Sequence, residues 1–243
     1  MTATRGGARV FVVGATGTIG QATVRALVRA GHEVVCFVRR GRGVEAFAPP
    51  SGVAVRVGDV VDRASVARDG FAGERFDAVI SCMASRTGVP RDAWAVDHLA
   101  QVNVLDAAVD AGVGQFVLLS AICVQKPRLV FQHAKLAFER QLTESGLPYS
   151  IVRATAFYKS LSGQVPRVRR GKPFVVFGDG TLTACKPISD DDLADYLVRC
   201  LHEPSCRNRV LPMVGRVRRL RRASRVRCSS LCSARRRASS TFR

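Results

Sequence analysis

One glycine triplet constrains this chain more than any other feature. Gly14-Ala-Thr-Gly17-Thr-Ile-Gly20 lies between an apolar run, ARVFVV (8–13), and a helical pattern from Thr18 to Ala30. Gly14 permits a tight turn, Gly17 lets backbone approach a pyrophosphate, and Gly20 lets helix and strand pack closely. The helix N-terminus adds N–H groups and a partial positive charge. Alone, such a triplet is a weak signal, because a glycine-rich connection with only a packing role has the same form. Here strand, loop, helix and a second strand stand in order. The pattern therefore predicts a dinucleotide cradle formed by Gly14, Ala15, Thr16, Gly17, Thr18, Ile19 and Gly20.

The rest of the chain continues the alternation. Strand-length runs are expected at 32–38, 53–59, 76–83, 115–120, 149–153 and 209–214. Helical patterns cover about 91–111, 131–145 and 191–201, the last with two acids at its start. A short hairpin is expected around Gly178-Asp179-Gly180. The fold class that follows is α/β: a doubly wound, mostly parallel Rossmann sheet with helices on both faces.

NAD-binding units of this type place an acid after the second strand, to accept a ribose hydroxyl. This chain has Arg39 and Arg40 there. Two guanidinium groups suit a 2′-phosphate and point to NADPH, although a solvated basic loop end is the plain alternative. Asp59, followed by Val60, either contacts the adenine amino group or is a turn residue. Cys82, Met83 and Ala84 end the fourth strand and are expected to line the adenosine side. Thr155, Ala156 and Phe157 follow the sixth strand and are expected to flank the nicotinamide.

Charge divides the chain in two. The formal net charge is +19, but 11 Arg and no acid fall in 216–243. The first 215 residues then hold 27 bases against 19 acids. A body so mildly basic does not call for nucleic acid. The expected division is a dinucleotide-binding domain over 8–214 and a basic low-complexity tail over 215–243. The abrupt change of composition at Gly215 also fits GC-rich coding sequence read out of frame. No apolar run reaches the roughly 18 residues of a spanning helix. The start moves directly into a strand, with no signal or transit segment, so a cytoplasmic setting is expected. A plastid stroma would require a transit peptide that this sequence does not show. None of the eight Cys forms a CxxC pair, and no metal site is expected.

Longer stretches carry a more specific likeness. They are VISCMASRTG (79–88), VLLSAICVQKPRLVFQHAKLAFERQL (117–142), YSIVRATAFYKSLSGQV (149–165) and GKPFVVFGDGTLTACKPISDDDLADYL (171–197). Together they resemble the divinyl chlorophyllide a 8-vinyl-reductase family, within the atypical and extended short-chain dehydrogenases/reductases. The resemblance covers about 8–214. It implies that NADPH reduces the 8-vinyl group of a divinyl Mg-tetrapyrrole to ethyl in chlorophyll or bacteriochlorophyll synthesis, and the setting it suggests is a photosynthetic bacterium. It also implies a further segment past the last strand that helps close the substrate site.

Short-chain dehydrogenases pair a Tyr with a Lys four residues on. Here Phe131 precedes Lys135, as in the resembled family. The loss is chemically sensible: vinyl reduction leaves charge on a conjugated macrocycle, whereas ketone reduction must protonate an alkoxide. The resemblance makes Lys135 the central polar residue, beside the nicotinamide ribose, and Ser120 a polar contact at the end of the fifth strand. Lys135, Tyr158 and water all stand as candidate proton donors. A non-catalytic NADP(H)-sensing or assembly protein of the same superfamily would tolerate the missing Tyr equally, as would a reductase of another conjugated molecule.

Overall fold

Strands covered on both faces are apolar at every position rather than at alternate ones, and several runs of this chain are of that kind. The computed structural model describes residues 7–41, 45, 47–87, 89–173 and 186–215. Seven strands pair in parallel: β1 (Arg9–Val13), β2 (Glu33–Arg39), β3 (Ala54–Gly58), β4 (Ala78–Ser81), β5 (Phe116–Ala121), β6 (Tyr149–Ala154) and β7 (Arg209–Met213). Their order across the sheet is β3-β2-β1-β4-β5-β6-β7. The doubly wound Rossmann sheet expected from the sequence is the one observed. β1, β2 and β4 are buried almost throughout, as central strands should be, while β3 and β7 lie at the edges. Pro212 sits in β7, where an edge tolerates a residue without an N–H.

The helices follow the expected punctuation. α1 (Thr18–Arg29) buries Ile19, Ala22, Val24, Ala26 and Leu27 on one face. A helix not anticipated from the sequence, α2, begins at Arg63–Ser65 and widens into a π-helical turn over Val66–Phe71. Asp62 caps it, its Oδ1 accepting the Ala64 N–H at 3.0 Å. α3 runs from Pro90–Ala93 through a π-helical turn, Trp94–Leu99, into Ala100–Asp110. α4 (Val130–Glu144) and α7 (Asp190–Arg199) match their expected positions within a residue or two. α7 lies along α1, with surface pairs Arg29–Asp195 (2.9 Å) and Arg25–Asp191 (3.6 Å).

The core between β1, β2 and α2 is aromatic. Phe11 is its hub, with ring centroids 4.5 Å from Phe71, 5.1 Å from Phe76 and 6.0 Å from Phe37. A second buried set, including Leu118, Phe116, Phe138, Leu142 and Ile151, fastens α4 to β5 and β6.

Contacts divide the chain into two units, Met1–Thr155 with Ser189–Met213, and Ala156–Ile188 with Val214–Arg243. The first holds the whole sheet. Within the second, α5 (Tyr158–Ser162), α6 (Val165–Arg169) and a parallel bridge from Phe157 to Ile188 are described. The hairpin expected around Gly178-Asp179-Gly180 and the basic tail after Gly215 lie outside the described residues. No described helix is long and apolar enough to cross a membrane.

Candidate functional site

Strand order reverses at β1: the chain steps from β1 outward to β2 and β3, then returns to the other side at β4. Open α/β sheets bind ligands at such a point, beyond the carboxyl ends of the strands. A cavity of about 540 Å³ opens there. Its walls come from the loop after β1 (Gly14, Ala15, Thr16, Gly17), the end of β2 (Phe37, Val38, Arg39), Val60 after β3, and the loop after β4 (Cys82, Met83, Ala84, Arg86, Thr87). Asp92 and Val96 of α3 complete it. A depression of similar volume, about 550 Å³, lies between α2, α3 and α4 around Arg63, Asp106 and Glu144. It lies away from the strand ends and has none of the glycine backbone.

The three glycines have different reasons to be glycine. Gly14 has φ +76°, and a Cβ there would stand 2.6 Å from the backbone of Cys82 and Met83. A Cβ on Gly20 would stand 2.1 Å from the Gly14 carbonyl oxygen. Both positions are closed by the protein itself. A Cβ on Gly17 would meet only the Gly14 oxygen, at 3.3 Å. Internal packing therefore constrains position 17 least of the three, and Gly17 lines the cavity. Gly17 is the N-cap of α1, and no acid stands in the first turn to oppose an anion. The cradle fits a pyrophosphate.

Of the residues expected to hold the cofactor, Gly14, Ala15, Thr16, Gly17, Arg39, Val60, Cys82, Met83 and Ala84 line this cavity. Ile19 and Gly20 are buried behind the loop. Arg40 is exposed and not in the lining; with Arg68 and Ser65, its charge helps hold the Asp69 carboxyl of α2 below the usual range. Asp59 is not in the lining and makes turn bonds. Its Oδ1 accepts the Val61 N–H at 3.1 Å, and its own N–H donates to Ser65 Oγ at 2.9 Å. Cys82 Sγ lies 3.7 Å from Thr23 Oγ, and burial pushes its thiol up to about 11, so it is a wall and not a nucleophile. Thr155 follows β6, its N–H donating to the Met213 carbonyl at 3.0 Å. Ala156 and Phe157 belong to the second unit, where the Ala156 carbonyl accepts the Ile188 N–H at 3.1 Å.

Arg86, Thr87 and Asp92 were not singled out by sequence reasoning. Asp92 Oδ2 accepts the Arg86 N–H (3.1 Å), the Thr87 N–H (3.1 Å) and the Thr87 hydroxyl (2.7 Å). Those bonds, led by Thr87 and joined by the charge of Arg39, hold the Asp92 carboxyl below its ordinary value. The visible signal was modest: an acid in the first turn after Pro90, six residues past an arginine.

The two residues expected to carry chemistry are both buried and both partnered. Lys135 Nζ lies 2.8 Å from Asp97 Oδ1, with the Asp97 side chain only 1% exposed. Asp97 also accepts the Ser85 hydroxyl at 2.5 Å and the Ser85 N–H at 3.3 Å. The π-helical turn of α3 carries this carboxylate, and such turns are frequent where a helix must present a functional side chain. Asp97 thus ties Lys135 of α4 to the loop that carries Ala84 and Arg86 into the cavity. Ser120 donates its hydroxyl to Glu139 Oε1 at 2.5 Å. Glu139 in turn accepts from Arg153 of β6, Nε at 3.1 Å and a terminal nitrogen at 2.5 Å. Lys135 and Ser120 line one narrow cleft with Asp97, Gln101 and Phe138. Phe131 is half-buried, and no phenol stands one turn before the lysine. Among the described residues, no group of His, Cys, Asp and Glu could hold a metal ion.

A glycine turn on a helix N-terminus, a cavity at the switch point and basic groups at its rim define a dinucleotide-binding Rossmann protein. The chain belongs to the NAD(P)H-binding family, whose model matches residues 14–204, and its cofactor is a nicotinamide dinucleotide. It is 45% identical over 218 residues to the chloroplastic divinyl chlorophyllide a 8-vinyl-reductase of Oryza sativa subsp. indica, covering 85% of this chain and 54% of that protein. It is 30% identical over 210 residues to the photosystem II assembly factor Ycf39 of Synechocystis, covering 85% of this chain and 62% of that protein. The chain spans about half the length of the curated vinyl reductases it matches. In fold it is similar to the epimerase Mth375 of Methanothermobacter thermautotrophicus, with TM-score 0.73, 19% identity, and 86% of this chain and 72% of that one covered.

Proposed function

We propose that this chain carries the NADPH-dependent reduction of the 8-vinyl group of divinyl chlorophyllide a, or of divinyl protochlorophyllide, to ethyl. The setting we infer is chlorophyll or bacteriochlorophyll synthesis in the cytoplasm of a photosynthetic bacterium. The observation that carries this reading is the 45% identity to a named vinyl reductase across the sheet, the cavity and α4 together. The assembly factor, at 30% over the same stretch, supports a non-catalytic role less well.

NADPH, when bound, supplies a hydride for one carbon of the vinyl group. The chain's own residues supply position and charge. Gly14, Gly17 and the first turn of α1 hold the pyrophosphate by backbone N–H groups and the helix dipole. Arg39 takes the 2′-phosphate. Lys135 provides a fixed positive charge that favours an anionic transition state, and Asp97 keeps its ammonium in one place. Ser120 is committed to Glu139, and its role is positional. The conjugated macrocycle delocalises charge, so a phenol in place of Phe131 is not needed.

The test is incubation of this chain with NADPH and divinyl chlorophyllide a, with vinyl and ethyl products separated by chromatography. Ethyl product that disappears in Lys135→Met is the expected result. NADPH binding with no ethyl product would favour the sensing or assembly role.

A further inference from the structure

We propose that Arg86, and not Arg40, is the second arm of the clamp that selects a 2′-phosphate, and that Asp92 is the positioning residue that holds it there. This rests on the NADPH reading of the cavity and names the residues that decide it. Arg39 ends β2 and Arg86 follows β4, and β2 and β4 flank β1 on opposite sides. Both arginines line the cavity, one from the strand on each side of β1. Among the described residues, neither guanidinium forms an ion pair with a carboxylate within 4.0 Å. A planar fork of donors meets a phosphate dianion two oxygens at a time, and two forks account for most of its acceptor sites. Arg40, next in sequence to Arg39, is exposed and does not line the cavity.

Asp92 lines the same cavity, and a bare carboxylate there would repel a phosphate. Its Oδ2 is instead engaged by three hydrogen bonds from Arg86 and Thr87. They fold the chain at 86–87 back onto the start of α3 and fix where the Arg86 side chain departs. The opposing possibility is that Asp92 faces the ribose and accepts its hydroxyl, which would favour NADH.

The test is calorimetric binding of 2′,5′-ADP and 5′-AMP, which differ only by the 2′-phosphate and involve no turnover. The wild-type chain should prefer 2′,5′-ADP. Arg39→Met and Arg86→Met should each weaken 2′,5′-ADP by about tenfold to a hundredfold, the usual worth of a charge-assisted contact, with 5′-AMP unchanged within about twofold. Arg40→Met should keep the full preference. Asp92→Ala should weaken 2′,5′-ADP and leave 5′-AMP alone, and Asp92→Asn, which keeps the side chain's shape, should do so less. The three arginines are exposed and Asp92 is half-buried, and unchanged melting temperatures would establish folding. A preference that survives Arg86→Met but not Arg40→Met would overturn the proposal. So would Asp92→Asn binding 2′,5′-ADP more tightly than wild type. Failure of both nucleotides to bind wild type would instead remove the cofactor reading on which the proposal stands.

Discussion

The two halves of the sheet solve the problem of handling charge in opposite ways. Around β1, β2 and β4 the working surface is backbone: glycines, amide N–H groups and a helix end, with arginines only at the rim. Around β5, β6 and α4 it is side chains in buried ion pairs, Lys135–Asp97 and Glu139–Arg153, one helical turn apart on α4. Backbone dipoles carry no net charge and cost less to bury than an ion does. A buried lysine or glutamate is tolerable only with its partner in place. The first half therefore depends on what is absent, a Cβ, and the second on what is present at long range.

That contrast can be broken at its most exposed point. Asp97→Ala leaves the Lys135 ammonium buried and unpaired, and should cost about 3–5 kcal/mol in urea unfolding. Replacing both, Asp97→Leu with Lys135→Met, should restore most of the loss, because two apolar groups need no compensation. If the double variant is as unstable as the single one, the pair is not the fastening described here.

In the backbone half the expected damage is smaller and more local. Gly14→Ala combines a positive φ with a 2.6 Å approach to Cys82, and should lose about 3 kcal/mol of stability. Gly17→Ala should lose less stability than Gly14→Ala, its Cβ meeting only the Gly14 oxygen at 3.3 Å, yet bind NADPH at least about tenfold more weakly, since residue 17 lines the cavity. Equal destabilisation by both substitutions would erase the distinction between the two glycines.

A third site shows the cost of burying a titratable group where neither half does its work. His32, at the start of β2, accepts the Ala8 N–H on Nδ1 at 3.1 Å, so its proton sits on Nε2. That nitrogen lies 3.0 Å from Nε2 of His202, which must then be the acceptor. Burial, and then the neighbouring His202, lowers the His32 pKa below its ordinary 6.5. The unfolded chain accordingly takes up the proton first. Stability from this pair is complete above about pH 6.5 and declines as the pH falls below it. Thermal melts at pH 7.5 and 5.5 should show the drop, and His202→Gln should reduce it. A smaller effect concerns thiols. Burial raises Cys36 to about 12 and Cys82 to about 11, while Cys123 is exposed. Iodoacetamide at pH 7.5 should modify Cys123 before either and leave dinucleotide binding intact. Early labelling of Cys82 would mean that the cavity wall opens.

The strands, the doubly wound class of the sheet and the glycine cradle were legible in the sequence, because they show as patterns among neighbours within about ten residues. Apolar runs, a capping glycine and a strand–loop–helix succession are local statements, and the observed strands fall within two residues of the expected ones. Arg39 was legible for the same reason: it ends a strand that the pattern locates. α2 was missed although Asp62 announces its start, because a short helix with a π-helical turn shows no clean period.

What only the tertiary structure decided are the pairings between elements. Nothing in the sequence joins Lys135 to Asp97, 38 positions earlier, or Ser120 to Glu139 and Arg153. Nothing separates Arg40 from Arg39, or brings Arg86 to stand opposite Arg39. Arg39 ends β2 and lines the cavity, whereas Arg40, one residue past the strand, is exposed and outside the lining. The sequence by itself determined a Rossmann sheet with a phosphate cradle. Which charges face that cradle, and which are buried against each other behind it, was settled when β4, α3 and α4 packed together, because charge pairing is fixed by distance in space and not along the chain.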